Sequence, residues 1–136
     1  LSVETPLKFD YIGRMASIII ATGEQAGVYL PLGKAAVVIG RAENLPMQIN
    51  DEKVSRKHIQ IKLCDDGVYR VKDMESSNGT LVCGRKITAE TALRDGDEIQ
   101  IGATSLLFTT EDPEGQPNAL ELVKKAGQRG RSTLMR

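Results

Sequence analysis

A hydroxyl, two cations and the chain's one histidine stand together in Ser55-Arg56-Lys57-His58. Arginine offers a planar fork of N–H donors and serine a short, adjustable hydroxyl, so the pair makes a grip for an anion. Two other stretches look suited to the same anion. One is Gly40-Arg41, at the end of an apolar run. The other is the turn sequence Ser76-Ser77-Asn78-Gly79-Thr80. The remainder reads as a scaffold that brings these three loops together.

Other chemistry finds few residues to work with. His58 is the sole conventional base, and Ser55 lies three residues before it in the same loop. There is no Gly-x-Ser-x-Gly, no cluster of metal ligands and no phosphate-cradling loop before a helix. The expectation is a protein that is not an enzyme and needs no cofactor or metal. Asp95-Gly96-Asp97 is a tight turn, which cannot supply the six or more oxygens of a calcium site. Cys64 and Cys83 show neither metal spacing nor a disulfide framework, and read as two reduced thiols of a cytoplasmic protein.

The bulk numbers agree with a binding module. The 136 residues suffice for one domain with a proper core. Lysine and arginine number 18, and so do aspartate and glutamate. A formal charge of zero argues against nucleic acid and membrane surfaces as partners, yet leaves room for a small basic pocket. No apolar run approaches a membrane span, and Leu1–Arg14 lacks the apolar core of a signal peptide. The chain opens on Leu and is read as a fragment of a longer or processed protein.

The elements that must position the loops are short strands. Met15–Ala21, Val28–Leu32 and Ala35–Ile39 form a three-strand opening, and Met47–Ile49 follows. Ile59–Leu63 alternates strictly, with Ile59, Ile61 and Leu63 on one face, which marks a half-buried antiparallel strand. Asp65-Asp66-Gly67 is a hairpin turn into Val68–Lys72, with Tyr69 and Val71 facing inward. Thr80–Val82, a Gly84-Arg85 turn, Lys86–Thr88, Glu98–Ile101 and Thr104–Thr109 complete the series. No helical period occurs between Met15 and Thr110, so the class is all-β, a sandwich or barrel. The first stretch that reads as a helix is Asn118–Ala126, after the linker-like 112–117. The expected division is an arm over 1–14, a domain over 15–110, and a linker with a short helix and basic tail over 111–136.

Four motifs now stand in order: Gly40-Arg41, Ser55-Arg56-Lys57-His58, Ser76-Ser77-Asn78-Gly79-Thr80, and Leu93-x-Asp95-Gly96-Asp97-x-Ile99-x-Ile101-Gly102. Together, on an all-β pattern, they resemble the forkhead-associated (FHA) domain, a phosphothreonine-binding module. The resemblance covers roughly Met15 to Thr110. It implies an eleven-stranded sandwich of two twisted, mostly antiparallel sheets, with binding loops at one end.

The resemblance also implies roles. Arg41 matches the arginine that contacts phosphate and orders its loop, and Ser55 the serine that holds phosphate oxygens. Arg56 occupies a variable position that often adds a phosphate contact. Ser77 precedes the Asn-Gly pair and helps the grip, and Asn78 bonds the bound peptide's main chain. Gly40, His58 and Gly79 match structural positions in the binding loops. Lys53, two residues before Ser55, lies where the family reads the third residue after the phosphothreonine, and a lysine there favours an acidic one. Where members often have Asn before the next glycine, this chain has Cys83-Gly84. The implied partner is a phosphothreonine protein or peptide, with a Ser/Thr kinase upstream. The alternative is an FHA-like structural domain for phosphorylation-independent assembly. Such domains usually lose the pocket Arg or Ser, whereas Arg41, Ser55 and Asn78 are all present here.

Overall fold

The computed structural model describes residues 16–111 and Val123. Among the described residues eleven strands run in chain order: β1 (Ala16–Ile20), β2 (Tyr29–Leu32), β3 (Val37–Gly40), β4 (Met47–Gln48), β5 (Ile59–Leu63), β6 (Tyr69–Asp73), β7 (Thr80–Val82), β8 (Arg85–Lys86), β9 (Thr91–Ala92), β10 (Glu98–Ile101) and β11 (Thr104–Thr109). They make two sheets, ordered β2-β1-β11-β10-β7-β8 and β4-β3-β5-β6-β9. Every pair is antiparallel except β3 with β4.

The core lies between the sheets. Ile18, Ile20, Ile99, Ile101, Leu106 and Phe108 face Ile39, Ile59, Ile61, Tyr69 and Val71 across it. The alternation read in Ile59–Leu63 sets this face: Ile59 and Ile61 are buried and Lys62 is exposed. Tyr69 does two jobs. Its ring packs against Phe108 with centroids 5.7 Å apart, and its hydroxyl donates to the Gly33 carbonyl at 3.0 Å.

β1 departs from alternation because it is buried throughout. Ile19 pairs directly with Leu107, and both are covered on the outer face together with Tyr29 and Val123. A continuous apolar run such as Met15–Ala21 is what a strand covered on both faces requires. Of the helix expected over Asn118–Ala126, only Val123 is described, and it is helical; the remaining residues lie outside the described part.

Two local readings are corrected. The turn expected at Gly84-Arg85 is centred on Cys83-Gly84, with φ of 51° and 84°, and Arg85 pairs with Val82 as the first residue of β8. Two successive positive-φ residues make the tight primed turn that suits a two-residue hairpin. The sequence also shows no sign of β9, two residues held against Arg70 and Val71 of β6. A strand that short has no period to detect.

Candidate functional site

Three loops meet at one end of the sandwich. Residues 41–46 leave β3, residues 49–58 lead into β5, and residues 74–79 cross from β6 of one sheet to β7 of the other. All the residues singled out by sequence lie in or beside these loops, and they are brought together by hydrogen bonds between distant parts of the chain.

Gly40 begins the construction. A Cβ placed there would stand 2.3 Å from the Arg56 carbonyl oxygen and 2.8 Å from that of Ser55. Both are backbone atoms with no room to yield, so only glycine lets the two segments cross. The crossing is then locked: Arg41 N–H donates to Ser55 O at 3.0 Å and Ala42 N–H to Arg56 O at 3.1 Å. The Arg41 side chain adds a third tie, Nε to the Val54 carbonyl at 2.9 Å. That bond uses Nε and orients the plane of the guanidinium, whose terminal nitrogens are the fork that suits a phosphate.

His58 joins the other two loops. It is fully buried. Ser55 N–H donates to its Nδ1 at 2.9 Å, and its Nε2 lies 2.8 Å from the Gly79 carbonyl. Nδ1 is therefore the acceptor and Nε2 carries the proton, a tautomer dictated by the two partners. Its main chain is tied as well, N–H to Ile39 O and carbonyl to Met74 N–H. With every polar atom engaged, His58 braces the loops.

Ser55 and Asn78 complete the link. The Ser55 hydroxyl accepts from Ser77 N–H at 2.9 Å, so its own proton is left to donate to an anion. Asn78 Nδ2 donates to the Lys53 carbonyl at 2.8 Å, which leaves its oxygen and its other N–H for a ligand. Gly79 has φ of 83°, and a Cβ there would meet the Lys86 side chain at 3.0 Å. Around this unit Arg41, Lys53, Arg56, Lys57 and Lys86 are all exposed.

Two aspartates support the site and were not singled out by sequence reasoning. Asp73 ends β6 and accepts from the Ser76 hydroxyl at 2.5 Å, the Thr80 hydroxyl at 2.6 Å and Ser76 N–H at 3.0 Å. Burial pushes its carboxyl up. The two hydroxyls and the amide outweigh this and hold it below the ordinary aspartate value. Asp51 accepts from Lys53 N–H, Ala103 N–H and the Thr104 hydroxyl, so the β10–β11 turn props the loop that carries Lys53. Burial raises it too, and those bonds with the Lys53 charge again win and lower it. The Asp-x-x-Ser spacing of 73–76 is a turn signal that could have pointed to Asp73. The bond from Asp51 to Thr104 spans 53 residues and has no local signal.

The FHA domain profile matches residues 37–102. The oxoglutarate dehydrogenase inhibitor of Corynebacterium jeikeium is 33% identical over 99 residues, which is 73% of this chain and 67% of that protein. The chain belongs to the FHA family. The glycogen accumulation regulator GarA of Mycobacterium tuberculosis is also 33% identical, over 101 residues and 74% of this chain. This FHA chain spans 61% of the length of that relative. Among solved structures, the N-terminal FHA domain of S. cerevisiae Rad53p in complex with a phosphothreonine peptide superposes with a TM-score of 0.64. It is 27% identical and covers 72% of this chain and 94% of its own.

The three segments have one notable property: they are already bonded to one another. The side chains of Arg41, Ser55 and Asn78 are therefore carried on backbones that are already fixed. The Cys83-Gly84 turn, where the FHA pattern often has asparagine, keeps the tight geometry with Cys83 at positive φ. Its N–H donates to Glu98 O at 2.8 Å and its thiol to Asp97 at 3.3 Å. Burial and the neighbouring Asp97 and Glu98 charges push that thiol up, against the opposing Glu98 backbone bond.

Proposed function

We propose that this FHA domain reads phosphothreonine in partner proteins, with Arg41, Ser55 and Arg56 on the phosphate and Asn78 on the peptide main chain. The observation that carries the reading is the hydrogen-bonded unit of Arg41, Ser55, His58 and Asn78. It presents a guanidinium, a free hydroxyl proton and an amide on loops that hold one another in place. A phosphothreonine brings about −1.5 to −2 charge and three acceptor oxygens. Each well-made charge-assisted bond contributes about 1.5–3 kcal/mol. A few of these, less the cost of ordering the peptide, correspond to roughly micromolar affinity, about −8 kcal/mol. That strength suits reversible signalling.

The domain acts by binding rather than catalysis, in keeping with relatives named as a regulator and an inhibitor. The mark it reads is written by a Ser/Thr kinase upstream, in the cytoplasm. The binding domain is residues 15–110; the arm expected over 1–14 and, but for Glu111 and Val123, the linker, helix and tail expected over 111–136 lie outside the described residues. Ser77 supports the grip through its bond to Ser55, and Lys53 favours an acidic residue at the third position after the mark.

The test is a titration of the chain with matched phosphothreonine, phosphoserine and unmodified peptide pools, randomised around the mark. Selective binding of the phosphothreonine pool, lost in Arg41→Ala with the fold intact, is the expected result. Unchanged affinity of the Arg41→Ala variant would falsify the assignment. Absence of phosphate-dependent binding by folded protein would move the domain to phosphorylation-independent assembly.

A further inference from the structure

An open cleft of about 620 Å³ lies beside the phosphate grip, lined by Arg41, Glu43, Asn44, Gln48 and Arg56. Its position follows from the hydrogen bonds. The 53–56 loop is held on one side by 77–78, through Ser77 to Ser55 and Asn78 to Lys53. It is held on the other by 41–42, through Arg41 to Ser55 and Ala42 to Arg56. The cleft belongs to this second side, across the loop from Asn78. Gln48 in its lining is fixed, because its Nε2 donates to the Arg41 main-chain carbonyl while its own main-chain carbonyl accepts from Gln25 Nε2.

Size and charge both leave room for more than a phosphate. The volume far exceeds one phosphate group and falls in the range of side-chain and small-ligand pockets. A carboxylate in the lining opposes a second anion. Two guanidiniums would by themselves repel a cation. Once a phosphate of about −1.5 to −2 charge sits on Arg41 and Arg56, it offsets them, and Glu43 becomes the cleft's uncompensated charge. The side chain that then fits is a cation, with Asn44 and Gln48 able to bond its N–H groups or the neighbouring main chain.

We infer that this cleft is a second specificity subsite. It takes a lysine or arginine side chain of the phosphopeptide, read by Glu43, on the side of the mark opposite the Asn78 clamp. The inference rests on the phosphothreonine reading above. With Lys53 on the residues that follow the mark, it places the basic residue before it. The ligand is therefore polar along its length, basic ahead of the phosphothreonine and acidic behind it. The effect is that of an exposed ion pair, about two- to fivefold in affinity between a lysine and an alanine peptide.

The experiment is a set of fluorescence-polarisation titrations of the full chain. For each of the three positions before the mark, a set of three phosphothreonine peptides carries Lys, Ala or Glu there. Wild type, Glu43→Gln and Glu43→Lys are compared at low and moderate salt, with circular dichroism confirming the fold. The expected order for wild type is Lys, then Ala, then Glu, at one of those positions. The Glu43→Gln variant compresses the spread and Glu43→Lys inverts it, and salt weakens both trends. Equal binding of all three peptides by wild type, with phosphate still required, removes the subsite but leaves the phosphothreonine reading standing. An order unchanged in Glu43→Lys overturns the assignment to Glu43. Failure of folded wild type to bind any of the phosphopeptides overturns the underlying reading and the subsite together.

Discussion

Replacing His58 by alanine separates a brace from a ligand contact. The imidazole is fully buried and serves two main-chain groups, Ser55 N–H and Gly79 C=O. Removing it strands both. An unsatisfied buried donor or acceptor costs about 1–3 kcal/mol, so the pair costs roughly 2–6 kcal/mol. Water entering the space left by the ring re-satisfies part of this, which brings the expected loss to about 2–4 kcal/mol. With a urea m-value of about 2 kcal/mol/M, the unfolding midpoint falls by about 1–2 M at unchanged m. Phosphopeptide affinity also falls, by about tenfold, because the 53–56 and 76–79 loops lose their shared anchor and must be ordered by the ligand. The assay pairs urea denaturation with a binding titration in the absence of denaturant. A His58→Ala variant within about 0.5 kcal/mol of wild type, the threshold for an inert surface change, refutes the bracing argument. If such a variant had also lost binding, His58 would be touching the ligand instead.

Other perturbations test neighbouring parts of the same unit. Gly40→Ala pushes a methyl into the Arg56 carbonyl and should cost about 1–3 kcal/mol as an overpacking change, with binding lowered more than tenfold. A crystal structure with the 55–56 backbone unmoved would contradict this. Asp73 has its carboxyl held below the ordinary value in the fold, so its contribution is present above the unfolded value and lost as pH falls through the folded one. Asp73→Asn should therefore cost about 1–2 kcal/mol at pH 7, the loss of a charge-assisted bond, and the gap to wild type should shrink below about pH 4. Denaturation midpoints across pH 2–7 measure it, and a gap that widens in acid would be the wrong sign. Cys83→Asn places a residue tolerant of positive φ at 51° and should raise the thermal midpoint by a few degrees, about 0.5 kcal/mol; a lowered midpoint would show that the thiol's bond to Asp97 matters more.

Much of this was legible in the sequence because it is locally encoded. The alternation of Ile59–Leu63 needs only the period of a strand to place Ile59 and Ile61 inside. The apolar, β-branched run of Met15–Ala21 marks a strand, and the structure adds that it is covered on both faces. Gly40-Arg41, Ser55–His58 and Ser77–Gly79 each announce themselves by residue type, and the structure brings them to one end. Where the reading slipped, at the Cys83-Gly84 turn and at β9, a short element was held by its neighbours rather than by its own composition.

What the sequence alone determined is most of the strands, most of the turns, and the residue types offered to an anion. Tertiary structure decided how those residues are held. The bond from Ser77 N–H to Ser55 spans 22 residues, that from Asn78 to Lys53 spans 25, and Asp51 reaches Thr104 across 53. Gly40 needs to be glycine because of Arg56, and His58 needs one tautomer because of Gly79. The Glu43 cleft exists only once the 41–48 segment is laid beside Arg56. Strand period and turn chemistry act over a few residues and leave a pattern in the chain. A buried hydrogen bond or a backbone crossing depends on which distant segments the two sheets bring into contact, and no local window contains both partners.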